Sequence, residues 1–274
     1  MKYHSPVLAI VFCLLSTWSF SGNDNFSIGA RSAGVANASL TYIDVWSLWQ
    51  NQAGIASLKE ISAGVFYENE FLLPELALKA FGFVIPLKKL GVFGLSYTGF
   101  GYSLYNETKL GICYAKSYGD VFSFGMQLDY LNTFVGDGYG SNNAIAAEAG
   151  FQAKILPELV LAAHIYNPTR AKLAATYDER IPSILRIGLA YTFSDKVICS
   201  LELEKDITQQ ENVKAGVEYH AVKQFYLRCG ISTNPVSDAF GIGLVMKTFK
   251  FDFSETIYQE LGSTPAISLS YSFK

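Results

Sequence analysis

From Glu60 onward the chain alternates apolar and polar residues with a period of two. The clearest run is Val121 to Leu131. Phe122, Phe124, Met126, Leu128 and Tyr130 fall on one side, and Ser123, Gly125, Gln127 and Asp129 on the other. The last run sets Ile267, Leu269, Tyr271 and Phe273 against Ser268, Ser270 and Ser272. Successive side chains of a strand point to opposite faces, so each run predicts a strand with one apolar and one polar face. About fourteen such strands fit, the first over 61–68 and the last over 265–273, each near the length that crosses a bilayer when tilted. Ala80-Phe81 interrupts the alternation of the segment over 75–85, which predicts a bulge there.

The links between the runs alternate in length. Short turns fall at Pro86–Leu90, Gly119-Asp120, Leu156-Pro157, Ser194-Asp195, Ala221–Lys223 and Thr248. Longer links fall between them, the longest over 132–142 and 168–182. A soluble sandwich alternates along each strand but has no reason to alternate its links. Outer-membrane barrels have short periplasmic turns and longer outer loops. An even strand number also leaves both chain ends on the periplasmic side.

Composition agrees. Half of the residues are hydrophobic, only 16% are charged, and the mean hydropathy is +0.21. Behind the first residues no stretch reaches the roughly 20 apolar residues of a membrane helix. An apolar chain that crosses lipid without such a helix must do so as a closed barrel. Lys2 and His4 before the apolar run Val7 to Leu15, then small and polar residues to Gly22, predict a secretory signal over 1–21. Phe12 before Cys13 argues against lipidation. The net charge of −3 gives no footprint for nucleic acid. Cys113, Cys199 and Cys229 are odd in number and scattered, which suits wall residues rather than a disulfide framework.

The two faces of the predicted wall differ. Phe, Leu, Ile, Val, Tyr and Ala point to lipid, with Tyr67, Tyr97, Tyr114, Tyr130, Tyr191 and Tyr219 near strand ends as an interface girdle requires. Lys109, Asp129, Glu148, Lys154, Arg186, Glu202, Glu204, Lys214, Glu218, Arg228, Lys250 and Asp252 point inward. Lys or Arg facing mid-bilayer lipid would cost about 2–4 kcal/mol. Both signs sit on neighbouring strands, so cross-strand ion pairs are expected in the lumen, with Glu202, Lys214, Glu218, Arg228 and Asp252 as candidates. A charged conduit for a polar solute is the competing reading.

Between the signal and the first strand lies Asn25 to Ala56, NFSIGARSAGVANASLTYIDVWSLWQNQAGIA. Its first half is built of small residues that let a backbone lie close to a wall. Asp44 is placed to cap a short helix over Val45 to Gln50 carrying Trp46 and Trp49, and Asn51 to Gly54 reads as a closing turn. These residues resemble the N-terminal signature of the PorV/PorQ family, a branch of the FadL-like outer-membrane barrels. The matching positions are Gly29, Arg31, Gly34, Asp44, Trp46, Asn51 and Gly54; Ala36-Asn37 stands near a usual Gly-Gly, and Gln52 where Pro is usual. Later motifs extend the likeness, including Gly216-Val217-Glu218-Tyr219, Leu227-Arg228-Cys229-Gly230 and the closing Ser270-Tyr271-Ser272-Phe273. The resemblance implies an all-β, fourteen-stranded antiparallel transmembrane barrel over 60–274, with a hatch over 22–59 inside the lumen. It implies a role in type IX protein secretion and surface attachment, with secretion components or exported proteins as partners besides outer-membrane lipid. The alternative is FadL-like passive transport of a fatty acid or other apolar ligand.

No catalytic constellation accompanies this architecture. Only His164 and His220 lie in the mature chain, on distant predicted strands facing inward. The chain has no Gly-x-Ser-x-Gly elbow, phosphate loop or His-x-x-x-His spacing. An enzyme is not expected, and no cofactor or metal is implied.

Overall fold

A computed structural model of the chain describes residues 25–173 and 180–273. The predicted signal over 1–21 and part of the 168–182 link lie outside them. Fourteen antiparallel strands close into a barrel, each paired with its neighbours in sequence and the first with the last. They are β1 (Ile61–Asn69), β2 (Ala77–Leu87), β3 (Gly91–Gly101), β4 (Tyr105–Tyr118), β5 (Phe122–Val135), β6 (Gly140–Lys154), β7 (Leu159–Tyr166), β8 (Ile184–Phe193), β9 (Val197–Asp206), β10 (Asn212–Val222), β11 (Phe225–Thr233), β12 (Val236–Met246), β13 (Phe249–Tyr258) and β14 (Gly262–Phe273).

The alternation sets the faces. In β5 the residues from Phe122 to Leu131 alternate strictly between exposed and buried. Large apolar side chains stand fully out on the wall: Ile112 is 67% exposed, Met126 67% and Ile145 68%. So much outward apolar surface needs lipid as its solvent, and closure gives every strand a partner on both sides, as hydrocarbon demands. The chain is an outer-membrane β-barrel. All six girdle tyrosines are exposed.

Three expectations change. No register shift occurs at Ala80-Phe81: Phe66 and Thr98 face Ala80, and Val65 and Tyr97 face Phe81, without interruption. The alternation is obscured there because the inward residues Leu78, Ala80 and Val84 are themselves apolar and join a buried core. The irregular ladder is instead between His220 and Val222. The link over 132–142 is mostly strand, since β5 and β6 stay paired as far as Val135 and Gly140. Lys154 and Lys250, though on the inward side, are exposed at strand ends rather than enclosed.

Residues 25–56 lie inside the barrel, and 57–60, largely exposed, lead to β1. They form two short helices, α1 (Ala30–Ala33) and α2 (Ser47–Gln50), and a 3-10 helix over Gln52–Ser57. The helix expected over Val45 to Gln50 thus begins two residues later, and the turn expected after it is helical. The expected Asp44 cap is not formed: Trp46 is the N-cap residue and no side chain caps the helix, while Asp44 Oδ1 accepts from the Trp46 N–H at 2.9 Å in the turn ahead of it. The wall is thinned to receive this segment. Inward glycines recur around it, and an added Cβ would meet the luminal segment: 2.8 Å from Trp46 at Gly64, 3.0 Å from Trp49 at Gly82, and 2.5 Å from Val35 at Gly216. Glycine is costly in a strand interior, and close approach of a second backbone is the reason it is kept.

Candidate functional site: the boundary between luminal segment and wall

Of the seven signature residues, Arg31, Gly34, Trp46 and Asn51 touch the wall, and Gly29, Asp44 and Gly54 brace the segment itself. Gly29 has φ 110 and backs directly onto the Trp46 ring. Gly34 packs against Gly241 of β12, with room for no Cβ beyond 3.0 Å. Trp46 is 2% exposed and Trp49 1%, in a cluster with Ile28, Leu48, Ile55, Phe66 and Val84. An indole of roughly 150–250 Å² contributes about 4–6 kcal/mol as an upper bound at about 25 cal/mol/Å². Asn51 donates to the carbonyls of Leu40 (3.0 Å) and Phe151 (3.1 Å) and accepts from the Ala53 N–H at 3.1 Å. Gly54 lies against Tyr42 and Ser47.

Arg31 and Asp44 belong to the first of two charge networks. Arg31 meets Asp44 Oδ2 at 2.9 Å and Glu218 Oε1 at 2.7 Å. Glu218 also accepts from Arg228 Nε at 2.6 Å, and Arg228 reaches Asp252 Oδ1 at 2.7 Å. The face-to-face pairing of Glu218 with Arg228 follows from the β10–β11 register. Arg31 Cζ stands 4.1 Å over the Tyr42 ring. Burial opposes the Arg31 charge, but Glu218 and Asp44 outweigh it and hold its pKa above the ordinary arginine value. Burial pushes the Tyr42 phenol up as well, with Glu218 adding to the effect. Glu202 and Lys214 sit nearby at 3.5 Å; Lys214 is closer to Glu204, at 2.7 Å, while Glu202 accepts the Leu40 N–H at 3.2 Å.

The second network centres on Glu148, which no spacing in the sequence singles out. Lys109 Nζ lies 2.5 Å from its Oε1, and Gln52 Nε2 (2.6 Å) and His164 Nε2 (2.9 Å) meet its Oε2. Arg186 approaches the other ring nitrogen of His164 at 3.0 Å, so the imidazole accepts there and donates to Glu148. Gln52 therefore does what a proline at that position could not: it hydrogen-bonds the wall from the luminal segment. The other departure keeps its geometry, since Ala36 (φ 52) and Asn37 (φ 61) both adopt the left-handed conformation that suits glycine.

A pocket opens between the luminal segment and β3 to β5. It is lined by Phe26, Trp49, Phe100 and Leu131 and by the polar Thr98, Glu107, Thr108 and Lys109, and its enclosed space is about 10 Å³, enough for about one water. Phe26 and Phe100 stack with centroids 4.8 Å apart, and Trp49 Nε1 donates to Thr98 at 2.8 Å. One side of the pocket is aromatic and aliphatic and the other polar. Its cation, Lys109, is paired with Glu148 and lies 3.6 Å from Asp129, and Glu107 adds a carboxylate to the lining.

No family model and no curated protein matches the chain. Solved structures do. The P. putida toluene transporter TodX matches with a TM-score of 0.70 at 13% identity, over 91% of this chain and 99% of that one. The Ralstonia pickettii toluene transporter TbuX matches at 0.70 and 12% identity, over 90% and 99%. A Pseudomonas aeruginosa FadL homologue matches at 0.66 and 13% identity, over 91% and 99%. Over about 90% of its length the chain thus shares the fold of these transporter barrels.

Proposed function

We propose that the chain is a passive conduit for apolar small molecules across the outer membrane, with residues 25–56 as its hatch. The observation that carries this reading is the aromatic side of the hatch boundary, where Phe26, Phe100 and Trp49 face the lumen beside a Lys109 already paired with Glu148; the space there holds about one water, so a guest must part these side chains. The shared fold supports it, since neighbours in that fold are described as toluene transporters. The closed lumen implies that the guest passes by displacing side chains rather than through a standing pore.

The test is uptake of N-phenyl-1-naphthylamine, an apolar dye that fluoresces in membranes, by Gram-negative cells carrying the protein. Protein-dependent uptake that toluene competes away is expected; uptake equal to cells without the protein sinks the reading. The likeness of the N-terminal signature to PorV/PorQ proteins supports a second reading, an accessory of type IX secretion that holds exported proteins at its outer loops. A surface-anchored protein retained through mild detergent extraction, without dye uptake, would favour it. All seven signature residues make contacts within the chain, so they speak for architecture more than for a partner.

A further inference from the structure

The lysines at the ends of the wall are sorted. Each of the six short turns carries at least one, in the turn or within three residues of it. Lys88 and Lys89 lie between β2 and β3, Lys116 near the end of β4 and Lys154 at the end of β6. Lys196 lies between β8 and β9, Lys223 between β10 and β11, and Lys247 between β12 and β13. All but Lys116 are exposed. The carboxylates of the same turns are fewer: Asp120, Glu158 and Asp195. The longer links at the other end hold Glu70, Glu75, Asp137, Glu211 and Glu260. Among the described residues, the basic side chains of those links are confined to Arg170, Lys172 and Arg180 after β7. Solubility alone asks for both signs interspersed, not sorted by end.

None of the short-turn lysines joins an ion pair among the described residues, whereas Lys109 and Lys214 in the lumen do. Outward hydrocarbon stands beside them. Leu90 is 63% exposed, Val222 58% and Phe193 53%, and Ile155 and Leu156 continue the band. Tyr114 pins the first of these turns, its hydroxyl donating to the Leu90 carbonyl at 2.6 Å. A ring that sets ammonium groups next to hydrocarbon fits the headgroup layer of a leaflet. There a lysine keeps its stem among acyl chains and its head on a phosphate. A protein docked beneath the turns would not cover the outward hydrocarbon; lipid meets both. Short turns face the periplasm, so the leaflet is the inner one.

We propose that the short-turn rim is a binding surface for anionic phospholipid headgroups of the periplasmic leaflet, with the lysines on the phosphates and the acyl chains along Leu90, Ile155, Phe193 and Val222. The surface is separate from the hatch boundary and does not depend on the conduit reading.

The test places the protein in a bilayer of equal parts phosphatidylglycerol and phosphatidylcholine, extracts it in mild detergent and counts the retained lipids by mass spectrometry. Phosphatidylglycerol should be retained about fivefold over phosphatidylcholine, the equivalent of about 1 kcal/mol for a lysine at an anionic surface. The excess should vanish in about 1 M salt, where the screening length is about 3 Å. Replacing Lys88, Lys89, Lys196 and Lys223 together by Gln should remove about half of it. Lys79→Gln, exposed near the other end of β2, should leave it intact. Folding is confirmed by migration on unheated and heated gels; if the four-site variant fails to fold, the salt series on the unaltered chain decides. Retention at the input ratio, or an excess that the folded four-site variant keeps whole, overturns the proposal. So does an acidic periplasmic protein held by these lysines while the lipid stays at the input ratio.

Discussion

Arg31 joins two parts of the chain 187 residues apart in sequence, through Glu218. It is the side chain that ties the luminal segment to the wall by charge. Charge-assisted bonds of this kind contribute roughly 1.5–3 kcal/mol each, and removing Arg31 also leaves Asp44 without its guanidinium. Arg31→Met should therefore weaken docking by about 2–3 kcal/mol. Trp46 and Trp49 are the tryptophans outside the predicted signal, and both are buried, so a red shift of emission at lower urea reads undocking directly. Glu218→Gln alone should cost as well, and the double variant should cost less than the sum by about 1 kcal/mol or more, as contacting residues do. Strict additivity would show that the pair is incidental. The face of Glu218 was legible because strand parity fixes it, and its partner Arg228 because neighbouring strands fix the register. Arg31 and Glu148 were not legible as hubs. Their partners come from remote segments, and no local spacing encodes a contact across a lumen.

Strands were the most legible elements, because one face meets lipid and the other a polar interior, and that contrast is written residue by residue. β2 shows where contrast fails. Its inward residues Leu78, Ala80 and Val84 pack on the luminal segment, so both faces are apolar and a regular strand reads as a broken one. The extended β5–β6 hairpin was hidden for the opposite reason: Ser141, Asn142 and Asn143 are exposed and polar, and a polar strand end looks like a loop. The glycines of the wall give a prediction whose sign separates two causes. Strand propensity alone makes Gly82→Val stabilising, on a scale that spans about 1 kcal/mol. Contact with the luminal segment makes it destabilising, since its Cβ would stand 3.0 Å from Trp49 and 3.1 Å from Val45, and overpacking costs about 1–3 kcal/mol. We expect the second. Tryptophan emission should shift at lower denaturant than in the unaltered chain, while the barrel keeps its unheated gel mobility; a higher midpoint would mean the wall glycines do not serve docking.

At the scale of the whole molecule, the barrel and its contents answer to different forces. The wall is held by fourteen ladders around a closed girth and by lipid, which gives no unpaired backbone group a place to go. The luminal segment is held by a tryptophan-centred core and two charge networks, each of which can be weakened without touching a ladder. Docking can therefore be perturbed while the barrel stands, and conductance separates the two. In a planar bilayer the intact protein should hold a closed baseline, because the segment fills the lumen. If Arg31→Met removes about 2–3 kcal/mol from docking, the undocked population rises about 30- to 140-fold at tenfold per 1.4 kcal/mol. Opening events should become more frequent by that order, with unchanged amplitude, because the pore revealed is the same barrel. A variant that fluorescence shows to be loosened, yet that conducts no more often than the parent, would mean that residues 25–56 are not what closes the lumen.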